Sequence, residues 1–193
     1  TTYTIVDTVV DTSADEVTLT LLGGAVYDVL GEGETKTYTI DGKDYEVTVM
    51  IIEDVSPATV TFEINGEITK QLKDSQTTTL DDGTLIGISD IVLNEAGEAG
   101  SGDIVEMYLG ATKLVLKDTT YTDTTFVQNV EIDNEDITNA LVQIVAAESS
   151  SATKLEISSI KYRLSADALN GDDVWVAPGH GVREYLDEPQ GML

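Results

Sequence analysis

The sequence predicts an all-β fold built as a β-sandwich, and three observations indicate it. Apolar and polar residues alternate with a period of two over most of the chain, which is typical of strands with one buried face. Asp-Gly and Asn-Gly pairs, which favour two-residue hairpin turns, separate several of these runs. The runs recur at spacings of roughly 8–12 residues, as in sandwiches of short antiparallel strands.

A series of short strands is expected in the first 118 residues. In the first strand, Tyr3, Ile5 and Val9 are expected to point inward because they alternate with polar residues. The predicted strands are, in order, Thr2–Asp11, Glu16–Leu22, Thr35–Ile40, Tyr45–Ile52, Thr59–Ile64, Glu67–Leu72, Thr77–Leu80, Leu85–Leu93, Ile104–Leu109 and Thr112–Lys117.

Turn residues are expected to join these strands in pairs. Asp41-Gly42 and Asn65-Gly66 each predict a two-residue hairpin, since both turn residues adopt positive φ angles that Asp, Asn and Gly tolerate. Asp81-Asp82-Gly83 predicts a third hairpin, and Gly110 is expected to separate the last two strands. Residues 94–103 are rich in Gly and lack a hydrophobic pattern, so we expect an exposed loop there.

A polar run, Thr119–Thr125, marks the joint to a second unit. We therefore expect a sandwich domain over 1–118 and a smaller β unit over 119–193. Between Asp133 and Val145 a helix is the alternative to a strand, but the alternation of L-V-Q-I-V favours a strand. The other predicted elements are strands Phe126–Ile132, Ala140–Ala147 and Lys154–Ser165, a loop Glu148–Ala152, and a single helical turn near Val182–Leu186.

The chain is strongly acidic: 36 Asp and Glu residues against 10 Lys and Arg give a formal net charge of -26. Residues 1–118 carry 23 acidic and 6 basic side chains, and residues 119–193 carry 13 and 4, so the acidity is not confined to a tail. Both regions repel phosphate groups, which argues against nucleic-acid binding and against acidic membrane surfaces. The charge has three interpretations: solubility of an abundant protein, adaptation to high salt, or a need for divalent cations.

The inventory of reactive side chains is poor. The chain has no Cys and one His, which excludes disulfides, Cys-ligated zinc and thiol catalysis. No apolar run approaches the roughly 18 residues of a membrane span, so no membrane insertion is expected. Because the sequence begins at Thr1 without Met, we expect that a signal peptide has been removed or that the chain is part of a longer product.

Two stretches carry a pattern of turns and core positions that is found in a known family. The first runs through F-E-I-N-G-E at 62–67, T-L-D-D-G-T-L-I-G-I at 79–88 and Y-L-G-A-T-K-L-V-L at 108–116. The second runs through Y-R-L at 162–164, V-W-V-A-P-G-H at 174–180 and E-Y-L-D-E-P-Q-G at 184–191. Together they resemble surface-layer (S-layer) type proteins of archaea, notably the small-genome archaea, over most of the chain beyond about residue 16.

That resemblance implies a secreted, β-rich subunit with immunoglobulin-like folds that assembles with copies of itself into a coat or filament. It predicts an immunoglobulin-like sandwich over 1–118. In that family the polypeptide continues well past the Leu186-Asp187-Glu188-Pro189 motif, whereas this chain stops at Leu193. A processed fragment, a short relative and a filament subunit are the three interpretations of that difference.

No cofactor is required by this interpretation, and Ca²⁺ is the one candidate ion. Two acidic segments offer the hard oxygen ligands that Ca²⁺ prefers, although neither matches the EF-hand loop pattern. Asp and Asn in such segments most often simply form turns. The candidate ligands are Asp133 and Asp136 in the first segment, and Asp167, Asp172 and Asp173, with Asn170, in the second.

No catalytic residue is expected. His180 as a general base would need an activated nucleophile and an orienting acid, and no such serine motif precedes it, so a surface histidine is the simpler interpretation. Carboxylate pairs such as Asp172-Asp173 are common in so acidic a chain and do not indicate acid–base catalysis. Trp175 and Tyr185 are interpreted as core or interface anchors.

The sequence therefore predicts an extracellular structural subunit, found at the cell surface, that assembles into a layer, tube or filament. Its expected partner is itself, in a homopolymer, with neighbouring surface proteins as further partners; a secreted adhesin or cell-contact module is the alternative. The N-terminal strand, residues 1–12, has two interpretations. It is either an ordinary edge strand of its own domain or a strand that completes the sheet of a neighbouring copy.

Overall fold

The computed structural model describes residues 2–94, 102–148, 154–165 and 175–192. Within these ranges the protein is all-β, and its sheets consist of antiparallel pairs, which confirms the predicted class. The strands are β1 Thr4–Asp11, β2 Glu16–Gly31, β3 Thr35–Ile40, β4 Lys43–Glu53, β5 Thr59–Ile64, β6 Glu67–Ile68, β7 Thr77–Thr79, β8 Leu85–Val92, β9 Ile104–Asp118, β10 Val130–Ile132, β11 Glu135–Asp136, β12 Ala140–Glu148 and β13 Leu155–Leu164.

The described strands form three sheets. A seven-stranded sheet has the order β1-β2-β9-β10-β11, with β8 also paired to β9 and β7 paired to β8. A four-stranded sheet has the order β3-β4-β5-β6, and β12 and β13 form a two-stranded sheet. Two 3₁₀ turns, Val182–Tyr185 and Pro189–Gly191, follow; the first confirms the predicted helical turn.

Local turn chemistry explains the hairpins. Asp41 and Asn65 both have a φ of 51°, each is followed by a positive-φ glycine, and the two predicted two-residue hairpins are confirmed. The third predicted hairpin is also present, with Gly83 at a φ of 88° between β7 and β8. A further two-residue hairpin joins β10 to β11 through Asp133 and Asn134, whose φ angles are 53° and 70°.

The chain divides into two compact units, one of residues 1–6 and 21–113 and one of residues 7–20 and 114–193. The divisions fall inside β1, β2 and β9. The sequence-based domains, 1–118 and 119–193, stay a prediction.

The first unit has a core of the β-sandwich kind, to which both of its sheets contribute. Alternate side chains of β4 and β5 and of β8 and β9 are buried in one cluster, because strand residues two apart point to the same face. Full burial of each such aliphatic or aromatic side chain stabilises the fold by about 1.5–3 kcal/mol. The cluster includes Val47, Val49, Phe62, Ile64, Ile86, Ile88, Val105, Met107 and Leu109.

Gly110 does not separate two strands, so that prediction was wrong. The segments 104–109 and 112–117 form one continuous strand, β9. Gly110 has a φ of +65° inside this strand, and a Cβ there would lie 3.3 Å from both Ala25 and Ile40. The glycine thus permits a close approach of neighbouring side chains, which is a role that glycine has within sheets as well as in turns.

The inward orientation predicted for Ile5 and Val9 was also wrong. Their side chains are 48% and 59% exposed. Val6, the residue after Ile5, packs against the cluster of Leu22, Tyr108 and Ala111 instead. In β1 both faces carry apolar residues, so alternation alone does not determine which face is buried.

In the second unit a strand forms where a helix was the alternative. β12 occupies 140–148, and its alternate residues Ala140, Val142, Ile144 and Ala146 are buried. Two predicted strands are shorter than expected, since 67–72 contains only β6 and 126–132 only β10. Most of the two predicted loops, residues 95–101 and 149–152, lies outside the described residues. No helix in the described ranges is long and apolar enough to cross a membrane.

Candidate functional site

Two long strands of the described chain present an open edge. β1 pairs only with β2, although the Val6 carbonyl also accepts the Ser75 hydroxyl at 2.9 Å, and β13 pairs only with β12. An edge of this kind exposes a row of backbone N–H and C=O groups to which another strand can bind. A third edge strand, β3, differs because its exposed residues are Thr35, Thr37 and Thr39, while its larger apolar side chains are partly buried.

The β1 edge is exposed, apolar and acidic. Every residue from Asp7 to Asp11 is exposed, including Val9 and Val10. The Asp11 carboxylate accepts hydrogen bonds from the Oγ (2.6 Å) and backbone N–H (2.9 Å) of Ser13, and these bonds hold the pKa of Asp11 below its usual range. Asp11 therefore also closes the turn into β2, whereas Asp7 lies within the exposed strand.

The β13 edge extends beyond the buried part of its sheet. Ile160 lies opposite Ile144, and Ile157 lies opposite Ala146. Residues opposite each other in an antiparallel pair point to the same face. Ile144 and Ala146 are buried, but Ile157 is 37% and Ile160 41% exposed. The inner face of this sheet is therefore covered at β12 and open at β13.

The outer face of β13 carries positive charge in a chain that has little of it. Lys161 and Arg163 are both exposed and lie two positions apart, so their side chains share a face. The Lys161 ammonium donates to Oε1 of Gln143 on β12 at 2.8 Å. These are two of only 10 Lys and Arg residues in the sequence.

A C-terminal segment packs near the end of β13. The Glu188 carboxylate accepts hydrogen bonds from the backbone N–H and hydroxyl of Thr138 and from the N–H of Asn139, at 2.7–3.0 Å. Burial alone would raise the pKa of Glu188, but the hydrogen bonds outweigh it and hold the pKa below its usual range. Gly191 is buried, and its carbonyl accepts the Tyr162 hydroxyl.

An aromatic cleft of about 630 Å³ lies in the first unit. The rings of Tyr27 and Tyr108 are 5.0 Å apart between centroids, and the Tyr27 side chain is half exposed. Tyr27 donates its hydroxyl to Glu106 at 2.9 Å, and Tyr108 donates to Thr4 at 2.8 Å. Both hydroxyls are engaged within the protein, so the exposed Tyr27 ring is available for stacking, and the rest of the lining includes hydroxyl and carboxylate side chains.

The structure describes Asp133 and Asp136 but not the other candidate Ca²⁺ ligands. Asp133 is the first residue of the β10–β11 turn and has a positive φ, and Asp136 ends β11. In the part of the chain that the structure describes, no three His, Asp or Glu side chains form a group that could hold a metal ion. Asp167, Asp172 and Asp173 lie outside the described residues.

His180 lies on the surface, beside an acidic side chain. Its Nδ1 is 2.6 Å from Oε2 of Glu184, and its ring meets the Tyr185 ring edge-on. This hydrogen bond and the Gly181 N–H hold the pKa of Glu184 below its usual range. Trp175 is 84% exposed, so its interpretation as a core residue was wrong, while an interface role stays a prediction.

Sequence reasoning missed Asp118, a fully buried carboxylate at the end of β9. It accepts hydrogen bonds from the backbone N–H of Ile144 at 2.6 Å and of Thr120 at 2.8 Å. The Asp-Thr-Thr sequence is typical of a turn in which Asp bonds to the second following N–H. That local signal could predict the Thr120 bond but not the one to a residue 26 positions away.

Comparisons with known proteins do not assign the chain to a family. No protein-family model, curated protein or solved structure matches it. The case for a functional site therefore depends on the two strand edges and the cleft described above.

Proposed function

We propose that this protein is an extracellular structural subunit that self-assembles into a cell-surface layer, tube or filament. The observation that carries the proposal is the pair of open edges, β1 and β13, with exposed apolar side chains along both. Natural monomeric β proteins often shorten or cover such edges to prevent strand pairing between molecules, whereas these two strands are 8 and 10 residues long. An immunoglobulin-like form of the sandwich and a location outside the cell belong to the proposal, and both come from the resemblance to archaeal S-layer type proteins.

Edge pairing contributes favourable free energy to a polymer contact. Each main-chain hydrogen bond contributes about 0.5–1.5 kcal/mol net, so a pairing along much of β1 contributes several kcal/mol. Burial of exposed Val and Ile side chains adds about 25 cal/mol for each Å² of apolar surface removed from water. Repetition of one such contact produces an extended assembly.

The net charge of -26 opposes assembly at low ionic strength. Salt at physiological concentration screens exposed charges beyond about 8 Å, and divalent cations bridge carboxylates on neighbouring molecules. We therefore expect assembly to be promoted by salt and by Ca²⁺.

A cell-contact binding module is the second candidate, and the aromatic cleft favours it. The exposed face of Tyr27 beside Tyr108 could stack on the apolar face of a sugar ring. A monomer that binds glycans through this cleft, and loses binding when Tyr27 is replaced with Ala, would support this alternative.

Electron microscopy of the purified protein tests the main proposal. Samples at low and high salt, each with and without Ca²⁺, are imaged and their pelletable fraction is measured. Filaments, tubes or sheets in any condition support a structural subunit. Isolated particles at every concentration and ionic condition would contradict it.

A further inference from the structure

We propose that β1 of one copy pairs antiparallel with β13 of the next copy, so that the occupant of each open edge is the other edge of a second copy of this chain. The inference deepens the proposed function, on which it rests, by naming the two contacting strands. Three features of the two edges support this pairing: their backbone groups, their apolar side chains and their charges.

The backbone of β13 offers hydrogen-bonding groups to an added strand. Ser165 donates its N–H to Asn139 on the β12 side at 2.9 Å. Successive residues of a strand direct their N–H and C=O groups to opposite sides, so Lys161 and Arg163 face β12 with Ser165. Ile160, the residue before Lys161, has the other parity and directs its N–H and C=O toward the open edge.

The apolar side chains of the two edges complement each other. Ile157 and Ile160 stand on the inner face of β13, where no further strand of the described chain covers them. A strand added at the edge would lie about 4.8 Å away and would place its own side chains beside theirs. β1 carries exposed Val9 and Val10, one for each face.

The charges favour this pairing over one between two β1 edges. β1 carries Asp7 and Asp11 and no basic residue, whereas the C-terminal half of β13 carries Lys161 and Arg163. Two β1 edges paired antiparallel over their full length would place the two Asp7 side chains near each other, with no basic residue on either strand to offset them. Two β13 edges paired in this way would place Arg163 opposite Glu156, so the charges do not exclude that pairing. Like charges across strands are destabilising, and opposite charges are favourable.

One antiparallel register satisfies both requirements. When Asp7 lies opposite Arg163, Val10 lies opposite Ile160 and Val9 lies opposite Lys161. Glu156 and Ile157 then both fall beyond the end of β1, so Ile160 provides the apolar contact of this register. Because the two edges are different surfaces, every copy keeps one of each for further pairing, which is the condition for an open-ended polymer or a ring.

Charge reversal followed by mixing tests the pairing. We expect Asp7→Arg and Arg163→Asp each to raise the critical concentration for assembly roughly tenfold, at the lowest salt concentration at which the wild type assembles, because each puts like charges across the contact. An equimolar mixture should assemble within about twofold of the wild type, since every contact between unlike variants restores an opposite-charge pair. Pelleting and negative-stain electron microscopy measure both results.

Matched controls separate the contact from net charge and from folding. Asp54→Arg and Lys70→Asp change the net charge by the same amounts at exposed residues outside both strands, and should assemble as the wild type does. Ile160→Pro removes the edge N–H and Ile160→Ala retains it, so only the proline variant should abolish assembly at concentrations where Ile160→Ala still assembles. Circular dichroism establishes that each variant is folded.

These experiments distinguish failure of the strand pairing from failure of the proposed function. If the wild type never assembles, the proposed function is wrong and the pairing falls with it. If the wild type assembles and the two reversed variants assemble equally well alone, or their mixture stays dispersed, the pairing is wrong while the structural role stands. A folded Ile160→Pro variant that assembles normally would likewise overturn the pairing.

Discussion

Replacement of Asp118 with Ala tests whether a buried carboxylate holds β12 to the end of β9 in the second unit. The side chain is completely buried, and its two oxygens accept the backbone N–H groups of Ile144 and Thr120. Alanine would leave both donors without this acceptor. The Ile144 N–H is the more important of the two, because Ile144 is itself fully buried and water cannot replace the carboxylate there.

The expected loss in the free energy of unfolding follows from these two hydrogen bonds. A hydrogen bond to a charged group contributes about 1.5–3 kcal/mol, and the relief from burying a carboxylate offsets part of the sum. We expect Asp118→Ala to lower the free energy of unfolding by about 3 kcal/mol. For a protein of this size that corresponds to a fall in Tm of roughly 6–12 °C. Asp118→Asn should cost less, since it keeps one acceptor oxygen.

Urea unfolding followed by far-UV circular dichroism measures the loss. Tryptophan fluorescence is unsuitable because Trp175 is 84% exposed before unfolding. Asp123→Ala is the matched control: its carboxylate accepts the Thr125 N–H at 2.6 Å, but in an exposed turn where water can substitute. We expect that variant to lose less than about 1 kcal/mol. Equal losses in the two alanine variants, or a loss below about 0.5 kcal/mol for Asp118→Ala, would refute the reasoning.

Two further predictions concern packing and pH. Gly191→Ala should loosen the C-terminal segment, since a Cβ would lie 2.8 Å from Leu164 Cδ1 and 3.0 Å from Ile137 Cγ2, and limited proteolysis should cleave that segment faster. Gly181→Ala, whose nearest atom is 4.0 Å away, should not change the rate. The hydrogen bond from Lys43 holds the pKa of Asp82 below its usual range. Its stabilisation is therefore present above the unfolded pKa of about 4 and is lost as pH falls toward the folded value. Asp82→Asn should be more destabilising at pH 7 than at pH 3 in urea titrations, and an equal loss at both would contradict this.

Much of the fold could be predicted because it depends on neighbouring residues. The hairpins at Asp41-Gly42 and Asn65-Gly66 formed as expected, since positive φ angles are a local property of these residues. The same local reasoning failed at Gly110, where the glycine accommodates Ala25 and Ile40, which are distant in sequence.

The candidate site was only partly predictable. Alternation predicted that residues 2–11 and 154–165 form strands, and β1 and β13 occupy most of those ranges. It assigned Ile5 and Val9 to the wrong face, because apolar residues occur at both parities of β1 and burial depends on what packs against them. Glu188 belongs to the 184–191 stretch that carries the resemblance, but the sequence did not predict its hydrogen bond from the backbone N–H of Thr138.

The sequence by itself determined most of the strand positions, the two-residue turns and the large negative charge, because each depends on residue type or on residues adjacent in the chain. Only the tertiary structure decided that β12 is covered while β13 stays open, and that Asp118 is buried against Ile144. Burial and edge exposure depend on which distant segments pack together, and alternation carries no information about that choice.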